Sequence, residues 1–203
     1  MTRQLNSPEL SVLTQVLDDD VNLAIWERQL PLHIAGFADS VIANGMPLSE
    51  SHVLTVSEDH PPLLDDLATG LRDVEGHAGF VADVAWLTHA FTCLTGARRV
   101  GLRVRTLDKA MCPRYHVDWV SLRLITTYAG VGSQWLEEGA LAREQLGDPG
   151  AEPIIAPRQL QAGSVALFKG ERWEGNEGRG IIHRSPPVAA GTTRLFMTLD
   201  WLA

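Results

Sequence analysis

The chain has 203 residues, 45% of them hydrophobic and 21% charged, enough for one domain with a substantial core. Lys and Arg number 17 against 25 Asp and Glu, and the net charge of -8 is the wrong sign for a surface that neutralises nucleic-acid phosphates. Two cysteines exclude a disulfide-stapled scaffold and an all-cysteine zinc site.

The opening stretch, MTRQLNSPELSVLTQVLDDD, lacks the apolar run of a targeting leader and turns acidic where one would end. A cytoplasmic location follows as the expectation. Pro8 and Glu9 open a helix through Leu10, Leu13, Val16 and Leu17. Val21–Arg28 reads as a strand or a short helix. Ala35–Asn44 has helical spacing with Gly45 as its stop, and Leu63, Leu64, Leu67 and Leu71 repeat the pattern over Pro61–Arg72. The clearest helix is Gly79–Thr95, closed by Gly96. Its uncharged end, Val84–Ala97, is too short to cross about 30 Å of hydrocarbon at 1.5 Å per residue, so no membrane partner is expected.

After Gly96 the period changes from 3.6 to 2. Val100, Leu102 and Val104 alternate with Gly101, Arg103 and Arg105 over Arg99–Leu107, as in a half-buried strand. Further strands are expected at Arg114–Val120, Leu122–Tyr128, Ile154–Arg158, Ser164–Lys169, Gly180–Ser185 and Arg194–Trp201, with a helical turn or two in Leu136–Leu146. The expected fold is α+β, one domain over 1–203: a helical N-terminal half, 1–97, packed on a sandwich or jelly roll, 98–203.

Chemistry concentrates in CPRYHVDWV and GRGIIHRSPP. Residues i and i+2 of a strand point the same way, so His116 and Asp118 can present an imidazole and a carboxylate to one point. With His183 as third ligand they form a facial metal set that leaves about three of six positions open, as non-haem Fe(II) chemistry with O₂ requires. Cys112 offers a fourth ligand, which would close a tetrahedral zinc site; the alternative is a small hydrophobe at a strand entrance. In KGERWEGNEGRG, Trp173 and Asn176 are candidate substrate contacts or members of a solvated loop. Trp119 either walls the pocket or joins the core. Arg184 is a candidate lining residue, though a regular strand turns it away from His183. Arg103 and Arg105 share a strand face that either meets an anionic substrate or is simply solvated.

The order of HxD, a Gly-led strand (AGSVALF), a distal His and an Arg on the next strand resembles the Fe(II)/2-oxoglutarate oxygenase superfamily. The resemblance implies a double-stranded β-helix (a cupin-like jelly roll), iron on His116, Asp118 and His183, and 2-oxoglutarate held by Arg194. A guanidinium fork matches a carboxylate bidentately. Many members carry Ser or Thr two residues after that Arg, where this chain has Phe196; Thr198, Thr126 or Tyr128 would have to supply the hydroxyl. Over most of its length, and most specifically in CPRYHVDWVSLRLITTYAGVGSQWL, GSVALFKGERWEGNEGRGIIHRSPP and TTRLFMTLDW, the chain resembles the bacterial domain-of-unknown-function family DUF1826. That resemblance implies an association with zinc and metal handling. Three readings follow: an oxygenase acting on a small molecule or protein side chain, a non-catalytic zinc-binding protein, and a metal-free β-helix binding module.

Overall fold

A computed structural model describes residues 2–202. Its main feature is a seven-stranded sheet built from β1 (Arg3–Ser7), β2 (Val21–Trp26), β3 (Ser49–Thr55), β4 (Arg99–Leu107), β5 (Leu122–Ala129), β8 (Val165–Lys169) and β10 (Arg194–Leu202). The strand order is β1-β2-β8-β5-β10-β4-β3, antiparallel except for β1 beside β2. Three two-residue strands, β6 (Gln134–Trp135), β7 (Arg158–Gln159) and β9 (His183–Arg184), form a second sheet in the order β7-β6-β9.

The faces of the large sheet follow from strand parity. Val100, Leu102, Val104, Leu122, Leu124, Val165, Leu167, Leu195, Met197 and Leu199 point to the side covered by α1 (Leu32–Ala43), α2 (His77–Thr95) and a 3₁₀ helix at Leu10–Leu17. Helix α2 buries Phe80, Val84, Leu87 and Phe91 there. It ends at Gly96, whose φ of 67° gives the left-handed stop that glycine adopts without a Cβ clash. Leu23, Ile25, Ile125, Ala166 and Phe168 point the other way and pack against Trp135, Leu160 and Ile181 of the small-sheet side. The site forms on this second face.

The N-terminal half is not mainly helical. It contributes β1, β2 and β3 to the same sheet as the C-terminal strands. Strand β2 is buried on both faces, so its VNLAIW run shows no alternation. Strand β3, an edge, is polar on both faces, with Ser49 and Ser51 exposed and Glu50 and His52 half-buried. Over Pro61–Arg72 only a 3₁₀ turn at Thr69–Leu71 forms; Leu64, Leu67 and Leu71 are buried without a continuous helix, and Leu63 is exposed. Arg114–Val120 and Ile154–Arg158 are irregular, apart from a single β-bridge at His116 and the start of β7 at Arg158. No helix of the described residues is long and apolar enough to cross a membrane.

Candidate functional site

His116 lies in the connection between β4 and β5 and forms an antiparallel bridge with His183 of β9, each N–H donating to the other's carbonyl at 3.0 Å. Asp118 is held by the turn that leaves β8. There the Glu171 N–H donates to the Asp118 carbonyl at 2.9 Å and the Arg172 N–H to the Val120 carbonyl at 3.2 Å. This approach requires glycine at 170, because a Cβ there would lie 2.1 Å from the Val120 oxygen and 2.7 Å from that of Asp118.

One ligand atom from each of His116, Asp118 and His183 lies within 4.8 Å of the other two. His116 Nδ1 sits 2.9 Å from the Arg114 carbonyl and His183 Nδ1 3.0 Å from that of Ile181. A carbonyl only accepts, so each Nδ1 carries the proton and each Nε2 presents its lone pair inward. His183 Nε2 faces Asp118 Oδ2 at 3.3 Å, and that buried oxygen has no hydrogen-bond partner. Two lone-pair donors held this way fit a cation between them. Burial and the neighbouring His183 pull the His116 pKa down, favouring the neutral imidazole a metal needs. Burial pushes the Asp118 carboxyl up, but His183, Arg123 and His116 more than offset it, and the group stays well below the usual carboxylate range. Arg123 Nη1 donates to Asp118 Oδ1 at 2.6 Å.

Arg194, at the start of β10, is 1% exposed. Its guanidinium makes only long contacts, 3.4 Å to the Val131 carbonyl and 3.5 Å to Ser185 Oγ, and stacks on Phe196 at 4.6 Å. Its Nε is buried without a partner, and no described carboxylate pairs with it. Burial pulls its pKa down to about 10. Ser185 lies two residues beyond His183, so the orphan cation reaches the strand that carries the distal imidazole. Gly130 allows this packing, since a Cβ there would meet Arg194 Cα at 2.8 Å.

Several expected site residues lie elsewhere. Thr126 pairs with Met197 and Val165, and Tyr128 packs on Phe80 and donates to Asp83 Oδ2 at 2.7 Å, so both face the helices and away from Arg194. The hydroxyls on the Arg194 face are those of Thr198, of Ser185 and of Thr127, which pairs with Phe196 and has a buried, unpartnered Oγ1. Trp173 packs against Trp201 and over Lys169 on the helix-covered side. Asn176 is a buried brace, donating to the Gly170 carbonyl at 3.1 Å. Arg184 stacks on Tyr115 and donates to Gln134, on the outer face of the small sheet. Trp119 is 73% exposed beside Asp118. Cys112 is exposed and its thiol lies outside the His116–Asp118–His183 group. Sequence reasoning missed Arg123 and Asp200, which join Asp118 in one ionic chain. A lone charge inside each of two otherwise uncharged runs, Arg123 in LRLITTYA and Asp200 in LFMTLDWL, was the signal that could have found them.

The family profile described as "Protein of unknown function (DUF1826)" matches residues 7–200. The chain belongs to this family. No curated protein matches its sequence significantly. Among solved structures, this DUF1826 chain is similar to the rice dioxygenase for auxin oxidation, with a TM-score of 0.57 and 15% identity over 100% of this chain and 83% of that one. It is also similar to JOX2, solved in complex with 2OG, Fe and JA, with a TM-score of 0.50 and 9% identity over 98% and 74% of the two chains. At such identities the likeness shows the fold alone, a jelly roll shared with 2-oxoglutarate/Fe(II) oxygenases.

Proposed function

We propose that this chain is an Fe(II)- and 2-oxoglutarate-dependent oxygenase acting on a small molecule or a protein side chain. The observation that carries the reading is an unpaired, buried guanidinium beside a convergent imidazole–carboxylate–imidazole set. The donor set suits a divalent ion of borderline softness with open positions. The orphan atoms fit the rest: Asp118 Oδ2 lacks a cation, and Arg194 Nε lacks an acceptor of the kind a carboxylate supplies.

When bound, Fe(II) and 2-oxoglutarate supply the oxidation of a C–H bond by O₂, with loss of CO₂ from the cosubstrate. The chain's own residues have three tasks. His116, Asp118 and His183 hold the metal on one face, with the two Nδ1–H···O=C bonds fixing both rings. Arg123 orients Asp118 and keeps it ionised. Arg194 binds the far carboxylate of the cosubstrate, with Ser185 and Thr127 as neighbouring hydroxyls, while Phe196 and the small-sheet core exclude water.

Metal analysis of the purified protein together with 2-oxoglutarate calorimetry tests the reading. One equivalent of Fe(II) or Mn(II) is expected, lost in both His116→Ala and His183→Ala, with 2-oxoglutarate binding lost in Arg194→Ala. Metal content at background in the wild type, or 2-oxoglutarate binding unaffected by Arg194→Ala, overturns it.

A further inference from the structure

The face that carries Arg194 does not end at β10. It continues onto β4 and β3, beyond the strands β2, β8 and β5 that the small-sheet cluster covers. Register places Thr127, Phe196, Arg105 and Ser49 in one row across the sheet, and Ile125, Thr198, Arg103 and Ser51 in the next. A third row runs Arg123, Asp200, Gly101 and Val53, and Val53 is 63% exposed. The result is an open shelf beside the candidate metal site.

The charges on this shelf do not balance. Asp118 pairs with Arg123, Arg123 with Asp200, and Asp200 with Arg103 at 2.7 Å, so two carboxylates and two guanidinia offset one another. Arg194 and Arg105 are the charges left over, and Arg194 is the one assigned to the cosubstrate. The Arg105 guanidinium donates to Ser49 Oγ and, at 2.9 Å, to Ser51 Oγ, and no described carboxylate pairs with it. Glu50, the nearest acidic residue of β3, points to the opposite face, where it accepts from the Ala68 N–H. Arg105 is therefore a half-buried guanidinium steadied by two hydroxyls, one strand from the Phe196 ring on which Arg194 stacks. A planar fork flanked by hydroxyl donors matches a carboxylate or phosphate.

We infer that Arg105, Ser49 and Ser51 seat the anionic group of the substrate, so that the substrate class is organic oxyanions. This rests on the oxygenase reading for the site's identity as catalytic, but the seat is tested separately. The Ser49 and Ser51 hydroxyls hold the fork against β3, and Arg103 is already neutralised by Asp200. The seat lies two strands across and four residues along the sheet from Arg123, roughly 16 Å at about 4.8 Å per strand and about 3.3 Å per residue, so the substrate that reaches from the seat to the metal side is an elongated one.

The test uses the full chain saturated with 2-oxoglutarate, so that Arg194 is occupied, with benzoate, phenyl phosphate and neutral benzamide as probes. Amide shifts of Ser49, Ser51 and Arg105 and the dissociation constants are followed by NMR. Benzoate or phenyl phosphate is expected to bind with shifts centred on these residues, and whichever binds tighter identifies the oxyanion. Benzamide is expected to bind at least tenfold more weakly. Arg105→Gln is expected to weaken the anion at least tenfold and Arg105→Lys to recover part of it, while Arg99→Gln, farther along β4, changes nothing. Equal binding of benzamide, or benzoate and phenyl phosphate both unaffected by Arg105→Gln, overturns the seat. If 2-oxoglutarate fails to bind while benzoate still binds through Arg105, the seat stands and the oxygenase reading falls.

Discussion

Replacing Arg194 with methionine removes a buried charge that the protein alone does not satisfy. Burial holds the guanidinium at a pKa of about 10 instead of 12.5. At roughly 1.4 kcal/mol per tenfold change in acidity, keeping this cation inside the folded chain costs on the order of 3 kcal/mol. Against this, the side chain has stacking on Phe196, of order 1 kcal/mol, and two long hydrogen bonds. Methionine keeps most of the volume and needs no partner. In chelator-treated protein without cosubstrate, Arg194→Met is therefore expected to be more stable by about 1–2 kcal/mol, a rise in Tm of about 3–6 °C for a chain of this size. Added 2-oxoglutarate should reverse the ranking. At a hundredfold excess over its Kd a ligand contributes about 2.7 kcal/mol to the wild type, and it contributes nothing to a variant that cannot bind it. Scanning calorimetry of both proteins, with and without metal and 2-oxoglutarate, measures each quantity. A variant several degrees less stable than wild type without ligand would show that Arg194 is a structural residue, and the argument for a carboxylate seat would fail.

Cys112→Ser should leave metal stoichiometry unchanged by elemental analysis, because the thiol stands outside the ligand group; loss of metal would revive a zinc site. Tyr128→Phe removes a hydrogen bond to the buried Asp83 carboxylate and should lower stability by about 1.5–3 kcal/mol in denaturant melts while preserving the 2-oxoglutarate thermal shift. Loss of that shift in a folded variant would place Tyr128 back in the site. Gly170→Ala puts a Cβ against the Asp118 and Val120 carbonyls and should abolish metal binding in calorimetry, with a retained circular dichroism spectrum; normal metal affinity would refute the proposed hold on Asp118. For pH, the folded state disfavours protonation of His116 and of Asp118 relative to the unfolded chain. The unfolded chain therefore takes up protons first, so metal-free stability should fall as pH drops below about 6.5, and fall further through the ordinary carboxylate range. A flat profile between pH 7 and 4 in urea titrations would contradict those shifts.

Strand β4 was legible because its alternation is strong where one sheet face meets the helices, while β5, β8 and β10, buried on both faces, were legible as apolar runs punctuated by Gly, Pro and Asn. Val100, Leu102 and Val104 announce β4; His116 and Asp118 do come together with His183, but from an irregular segment tied by one β-bridge and not from the strand that the HxD spacing implied. Of the N-terminal strands, β2 was legible only as a strand or a short helix, and β1 and β3 were not legible. Strand β2 is buried on both sides and shows no alternation, and β3 offers only Val53 and Leu54 among polar residues. Leu64, Leu67 and Leu71 keep helical spacing in a segment that buries leucines without forming a continuous helix, so periodicity there reports burial and not secondary structure. Of the three hydroxyls offered around Arg194, Thr198 lies on its face, while Thr126 and Tyr128 were misplaced for a similar reason. Strand parity puts Thr127 on the Arg194 face, but the β5–β10 register shifts beside Phe196, and only the pairing shows that Tyr128 and Ala129 both turn toward the helices. Arg194's lack of a partner is a property of three dimensions, since no sequence pattern states that a cation is left unpaired.

The central claim is that one pocket holds a metal on His116, Asp118 and His183 and an organic dicarboxylate on Arg194. Anaerobic addition of Fe(II) and then 2-oxoglutarate, followed by visible absorption, tests it most directly. The account predicts a weak charge-transfer band that requires both additions and is absent in His183→Ala and in Arg194→Ala. No band from folded wild-type protein that has bound one equivalent of iron would contradict it.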